Sequence, residues 1–206
     1  MSKHFAEKSE KARFETFFDA ILAILITILV LEFRVPDNAY SSDDEIKTFI
    51  RHLVPAVFSY VISFATIVSL WLNHHDLCRL IKSVDLRFII LNFVFILFVS
   101  SLPFTTALAG RNHESSYAVA LVATNYFLMN IGFASIWGYV VTKRIIPEET
   151  TRSKAFKKYV TIAKIGSVLL LMSIPLAYVS TYISFALFIV VLFLHIGKEF
   201  FYNVDQ

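Results

Sequence analysis

Apolar residues in this chain do not alternate with polar ones; they run in long blocks. Six blocks stand out, near Phe14–Phe33, Phe49–Leu72, Phe88–Leu108, Tyr117–Val141, Tyr159–Tyr178 and Tyr182–Ile196. About 20 mostly apolar residues in a helix cross the hydrocarbon of a bilayer. Each block therefore predicts a membrane-spanning helix, and the last, which is short, can extend through Phe200 and Phe201. Strands would show a period of two, and these blocks do not. The connections are brief, the one around 179–181 being little more than a turn. No internal repeat is evident. The pattern predicts an all-α integral membrane protein, a single six-helix transmembrane domain over residues 1–206 with a polar N-tail at 1–12.

Composition agrees. Of 206 residues, 57% are hydrophobic, above the roughly 50% ceiling of soluble domains. Phe is abundant while Gly and Pro are scarce, which suits long helices. The lone Cys78 excludes an intrachain disulfide and a CxxC metal site. The polar N-terminus has no apolar core of a signal peptide. Charge sets the orientation. One side carries the N-tail (Lys3, Lys8, Lys11, Arg13), the second loop (Arg79, Lys82, Arg87), the fourth loop (Lys143, Arg144, Arg152, Lys154, Lys157, Lys158) and Lys198. The other carries only Arg34, Lys47, Arg51 and Arg111, beside Asp37, Asp43, Asp44, Glu45 and Glu114. The positive-inside rule then predicts both termini in the cytoplasm. The 143–158 cluster reads as an anchoring loop near anionic headgroups.

The first helix holds the most informative polar positions. Arg13, Glu15 and Asp19 lie in its first turns, and Thr27 lies deeper. A charge in hydrocarbon costs about 3 kcal/mol or more, so it faces protein or water and marks a candidate site. At about 100° per residue, Arg13, Thr16, Ala20, Ile24, Thr27 and Leu31 share one stripe, flanked by Ala23 and Ile28. Asp19 points about 100° away from it. Two readings of the stripe stay open. Small and hydroxyl residues pack helices against one another. Alternatively, copies of this helix line a pore, with apolar rings that close it by dewetting and Thr27 hydroxyls that meet an ion.

The second helix ends in Trp71-Leu-Asn73-His74-His75-Asp76. Adjacent histidines diverge by about 100°, so His74 and His75 are poorly placed to share a metal. No HExxH or Cys/His grouping supports zinc. A hydrogen-bonding role is expected for them, with Trp71 in the aromatic belt. The third helix carries Asn92 near its start, and Pro103 should kink or end it. Arg13, Asp19, His74, His75 and Asn92 all fall in the same half of the bilayer. They predict a polar cluster that pins the first helix against the second and third.

This arrangement resembles the transmembrane protein 175 family of potassium channels. The family's first helix carries an R-x-x-x-F-S-D signature. Here it reads Arg13-Phe-Glu-Thr-Phe17-Phe18-Asp19, with Phe18 where the signature has serine. Trp71, His74, His75, Leu91-Asn92 and Pro103-Phe104 also match family positions. The resemblance implies a moderately selective potassium channel without the TVGYG filter of ordinary potassium channels. It implies a bacterial-type tetramer of single six-helix units, in the cell membrane, whose first helix (about 13–34) lines the pore. It implies a constriction at Ile24 with further apolar layers at Ile28 and Leu31, an ion-selecting hydroxyl at Thr27, and no cofactor beyond the permeant potassium. The structural network it implies contains Arg13, Phe17, Asp19, Trp71, Asn73, His74, His75 and Asn92.

Two other classes are weighed. A proton-coupled transporter, or a proton-permeable channel, would use Asp19 as its titrating carboxylate. No repeat or pair of broken helices supports the transporter. A membrane enzyme or haem protein would use His74 or His75. Nucleic acid is not an expected partner.

Overall fold

The computed structural model describes residues 2–33 and 42–202, with side chains at 9–31, 33 and 42–196. The side chains of Lys3, Lys8, Arg34, Asp37 and Lys198 lie outside the described residues. Every regular element described is helical: α1 (Ser2–Ile28) with a 3-10 turn (Leu29–Glu32), α2 (Asp43–Leu80), α3 (Leu86–Ser100), α4 (Leu102–Arg111), α5 (Ser116–Thr142), α6 (Glu148–Arg152), α7 (Lys154–Leu176) and α8 (Thr181–Tyr202). Five stretches are long and apolar enough to cross a membrane: Ser9–Leu31, Asp43–Leu80, Leu86–Arg111, Ser116–Thr142 and Lys154–Leu176. Thr181–Ile196 is a shorter apolar helix. The chain is a multi-pass membrane protein.

Several boundaries differ from the sequence expectation, for local reasons. The segment read as a polar N-tail is helical from Ser2, because its Ala, Glu and Lys are good helix formers and nothing in it breaks a helix. The helix then tightens into 3-10 geometry at Leu29, so Leu31 leaves the α-helical register. Helix α2 starts at Asp43 rather than near Phe49. Ser42 caps it by accepting from the Glu45 N–H at 3.3 Å, and Asp43, Asp44 and Glu45 fill its first turn, where acids favour the helix dipole. Asp85, Ser115 and Ser153 cap α3, α5 and α7 in the same way.

The third apolar block is two helices. The break falls at Ser101, with Pro103 in the first turn of α4, a position where the missing N–H is not needed. Broken backbone in lipid must find other partners. The Ser101 hydroxyl lies 2.8 Å from the Phe98 carbonyl and 3.1 Å from the side-chain oxygen of Asn125. Asn125 then donates to the Thr105 hydroxyl at 2.9 Å. One side chain of α5 thus spans the break.

Helix α5 is the hub, packing against α3, α4, α7 and α8, while α2 packs on α4 and α7 on α8. Lipid is as apolar as leucine, so close van der Waals contact rather than water exclusion holds such helices together. Close approach shows at Gly110, where a Cβ would lie 3.1 Å from the Ala56 Cα of α2. It shows again at Gly166, where a Cβ would lie 2.9 Å from the His195 ring of α8. Helix α1 lies at the margin of the chain. It packs mainly on α2 and touches α3 through aromatic rings.

Candidate functional site

Helix α1 has two unlike faces. Phe14, Phe18, Leu22, Leu25 and Leu29 are buried and fall within one arc of the wheel. About 160° away lie Arg13, Thr16, Ala20, Ile24 and Thr27, all exposed in the single chain, with Ala23 and Ile28 beside them; Leu31, in the 3-10 turn, is exposed as well. Ile24 is 56% exposed, Ile28 37% and Leu31 71%. The stripe read from the sequence is therefore the face that this chain leaves uncovered. Its two hydroxyls are satisfied internally: Thr16 donates to the Ala12 carbonyl at 2.9 Å and Thr27 to the Ile24 carbonyl at 2.7 Å. Because each proton is committed to the backbone, the oxygen lone pairs are the part left to face outward.

Asp19 sits on the flank between the two faces. Its Oδ1 accepts from the Trp71 indole N–H at 2.9 Å. The Trp71 ring stacks on His75, centroids 5.3 Å apart, and His75 itself is exposed. A second contact lies deeper. His74 is buried, with Nε2 2.9 Å from Asn92 Oδ1. The Asn92 amide donates to the Phe88 carbonyl at 2.8 Å, so its oxygen is the acceptor and His74 Nε2 carries the proton. His74 Nδ1 is then the acceptor that faces the Cys78 thiol at 3.6 Å.

The expected single cluster is thus two separate pieces, Asp19–Trp71 joining α1 to α2 and His74–Asn92 joining α2 to α3. Asn73 turns back to its own helix, donating to the Ser69 carbonyl at 2.6 Å. Phe17 packs its ring against Phe93 of α3 at 5.6 Å. Arg13 is exposed and stands apart from Asp19 in the single chain. Six residues separate them, which is about 120° around and about 9 Å along the helix.

Three contacts went unread in the sequence. Phe18 is fully buried and lies face to face with His74, centroids 3.5 Å apart and planes 9° apart; Phe95 follows at 6.1 Å. Lys11 donates to the Ile81 carbonyl at the end of α2, at 2.8 Å, and lies 3.5 Å from Glu15. The third is Asp85, whose Oδ1 accepts from the Phe88 N–H at 2.8 Å while its Oδ2 accepts from the Tyr139 hydroxyl. Partial burial pushes the Asp85 carboxyl up, but the Tyr139 and Phe88 donors and nearby Arg87 outweigh it and hold it below the usual range. An Asp three residues before Phe88 is a capping signal; the other two contacts leave no local signature. Among the described residues no three His, Cys, Asp or Glu side chains group as a metal site.

The family model for the endosomal/lysosomal potassium channel TMEM175 matches residues 13–103, which include all these contacts except Lys11 and Tyr139. A protein named as a potassium channel from Chamaesiphon minutus is 30% identical over 185 residues, 86% of this chain and 89% of that protein. Another potassium channel, from a Chryseobacterium species, is 28% identical over 155 residues, 74% of this chain and 77% of its own. The human endosomal/lysosomal proton channel TMEM175 is 30% identical over 142 residues, 64% of this chain and 28% of its own length. The fold is similar to the crystal structure of a lysosomal potassium-selective channel TMEM175 homolog from Chamaesiphon minutus. The TM-score is 0.77 at 26% identity, covering 92% of this chain and 98% of that one.

Proposed function

The chain belongs to the TMEM175 family, whose members are channels rather than enzymes, and on that premise we propose that it is a moderately selective potassium channel. Four copies of a six-span chain surround the pore in a bacterial inner membrane, with both termini in the cytoplasm. The observation that carries the reading is the uncovered stripe of α1, opposite a face that is buried from Phe14 to Leu29. A helix held by one face and bare on the other is suited to line a path shared between copies.

In this arrangement Ile24, Ile28 and Leu31 form apolar rings that constrict the pore and close it by dewetting. Thr27 lies one turn beyond Ile24, and its hydroxyl proton is donated to the backbone. Four such oxygens offer lone pairs to a cation that has shed part of its water. Asp19 stays off the axis, held by Trp71, so it serves the packing of α1 more than the ion.

The test is liposome flux and reversal potentials under potassium/sodium gradients. Ile24→Ala widens the constriction and raises conductance or lowers selectivity. Thr27→Val changes the potassium-to-sodium ratio more than the total flux. Unchanged currents in Ile24→Ala would remove Ile24 as the constriction, and an unchanged ratio would remove Thr27 from selectivity. A second reading, proton permeation through Asp19, is favoured by the exposure of that carboxylate on the flank of the stripe and by relatives named proton channels. It predicts a pH-gradient-driven flux that Asp19→Asn abolishes.

A further inference from the structure

Helix α5 ends in an unusual way. The Ile145 N–H bonds the Val140 carbonyl at 3.0 Å and the Arg144 N–H bonds the Val141 carbonyl at 3.1 Å. These two bonds define a Schellman turn with Arg144 at its left-handed position. Arg144 has φ 54, and it is the only non-glycine residue with positive φ among those described. Glycine fills this position without steric penalty; a side chain with a Cβ does not. The turn itself is well anchored, since Ile146 just beyond it is buried, yet Arg144 and its neighbour Lys143 are exposed. The strained residue is therefore not held there by burial. What it adds to the position is charge.

That charge has company. Residues 143–158 hold six basic side chains and two carboxylates, Glu148 and Glu149. Arg152 already engages Glu148 at 3.1 Å. Lys154 and Lys157 open α7 and are exposed. In the same turns of α7, Phe156 and Tyr159 pack against the Trp137 ring of α5, at 5.6 and 5.1 Å. Aromatic rings of this kind sit at the headgroup level of a bilayer. A cationic rim above an aromatic layer, at the end of two membrane helices, matches the charge and depth of an acidic lipid headgroup.

We propose that the α5 end and the start of α7 form a binding surface for anionic phospholipid, with Arg144, Lys143, Lys154 and Lys157 as its headgroup contacts. The anion is the phosphodiester of a lipid seated in the bilayer, not a soluble phosphate. The proposal goes beyond loop anchoring because it gives Arg144 a role that its backbone position opposes.

The full chain is reconstituted in vesicles of phosphatidylcholine, or of equal parts phosphatidylcholine and phosphatidylglycerol. Quenching of Trp137 by brominated forms of each lipid gives their relative affinity at this site. Trp137→Phe supplies the share due to Trp71. The parent protein prefers phosphatidylglycerol. Arg144→Gly keeps or raises thermal stability while the preference falls about fivefold, the effect of one basic residue near an anionic surface. Arg144→Gln, which keeps the backbone restriction, lowers it equally, and Lys154→Gln with Lys157→Gln lowers it further. Equal quenching by both lipids in the parent, or an undiminished preference in a folded Arg144→Gly and Arg144→Gln, overturns the proposal. So does full displacement of phosphatidylglycerol by excess inorganic phosphate, which would make this a soluble-anion site.

Discussion

Replacing Phe18 by alanine tests whether α1 is held by one face and open on the other. Phe18 is fully buried, stacked on His74 at 3.5 Å and backed by Phe95 at 6.1 Å. In a soluble core such a change costs about 3–5 kcal/mol. Part of that figure is transfer from water, which is missing when the reference state stays in lipid. Two terms survive. A lost ring leaves about 100 Å³, and at about 24 cal/mol per Å³ an uncollapsed cavity costs about 2.4 kcal/mol. The stacked pair adds about 1 kcal/mol. Allowing for partial collapse, Phe18→Ala should lose about 3 kcal/mol. Ile24→Ala, on the bare face, should stay within about 0.5 kcal/mol. Unfolding in graded denaturing detergent, followed by circular dichroism, measures both, and liposome flux on the same preparations reads permeation. Phe18→Ala should be fragile with an unaltered potassium-to-sodium ratio in the folded fraction; Ile24→Ala should be sturdy with altered flux. An Ile24 variant less stable than the Phe18 variant would invert the faces and refute the reasoning.

Other changes follow from single contacts. Asp19→Asn keeps an acceptor for the Trp71 indole and should cost less stability than Asp19→Ala, which strands the donor; equal losses would show that charge rather than the hydrogen bond matters. Gly166→Ala drives a methyl to within 2.9 Å of the His195 ring and should destabilise by about 1–2 kcal/mol. Adding His195→Ala should recover most of that loss, and simple additivity of the two in detergent unfolding would count against the contact. Because the Asp85 carboxyl is held below its usual range, its contribution is fully present above about pH 4, the usual carboxylate value. It is lost as pH falls through the lower native value. Asp85→Asn or Tyr139→Phe should flatten the acid limb of thermal stability, and an unchanged limb would show the pair is idle.

The spans were legible because hydrocarbon demands length and apolarity, and both are written in the sequence. The break near Pro103 and the sideways position of Asp19 were legible too, since ring chemistry and helix period fix them locally. What the wheel could not decide was which face of α1 packs inward. Both faces are largely apolar, and lipid imposes no preference between Phe18 and Ile24. The partners were equally hidden. Nothing near Phe18 in sequence announces His74, 56 positions later, and nothing near Lys11 announces the Ile81 carbonyl. Arg13 and Asp19 are both charged in the same half of the bilayer, which predicts a shared cluster. The helical period turns them about 120° apart.

The contacts that hold α1 are unevenly spread along it, and this bears on how it can behave as a pore helix. Among the described residues, its polar contacts to the rest of the chain include Lys11 to Ile81 and Asp19 to Trp71 and Glu15 to the Cys78 thiol, with the Phe18–His74 stack beside them. All lie within residues 11–19. Between Ala20 and Leu31 the buried side chains, Leu22, Leu25 and Leu29, are apolar, and the one hydroxyl there bonds its own backbone. That end changes to 3-10 geometry at Leu29. A cavity of only about 20 Å³ lies beside it, lined by Leu29, Phe33, Ser59, Tyr60, Thr106 and Arg111 among others. Hydrogen bonds are directional and fix a register, whereas apolar contacts in lipid hold through close packing. The segment with Ile24, Thr27, Ile28 and Leu31 is therefore backed by apolar side chains, while the signature residues add directed contacts at the other end. In the proposed pore, directed contacts at the base and apolar packing at the tip would let ring diameters change without breaking the contacts that hold the base.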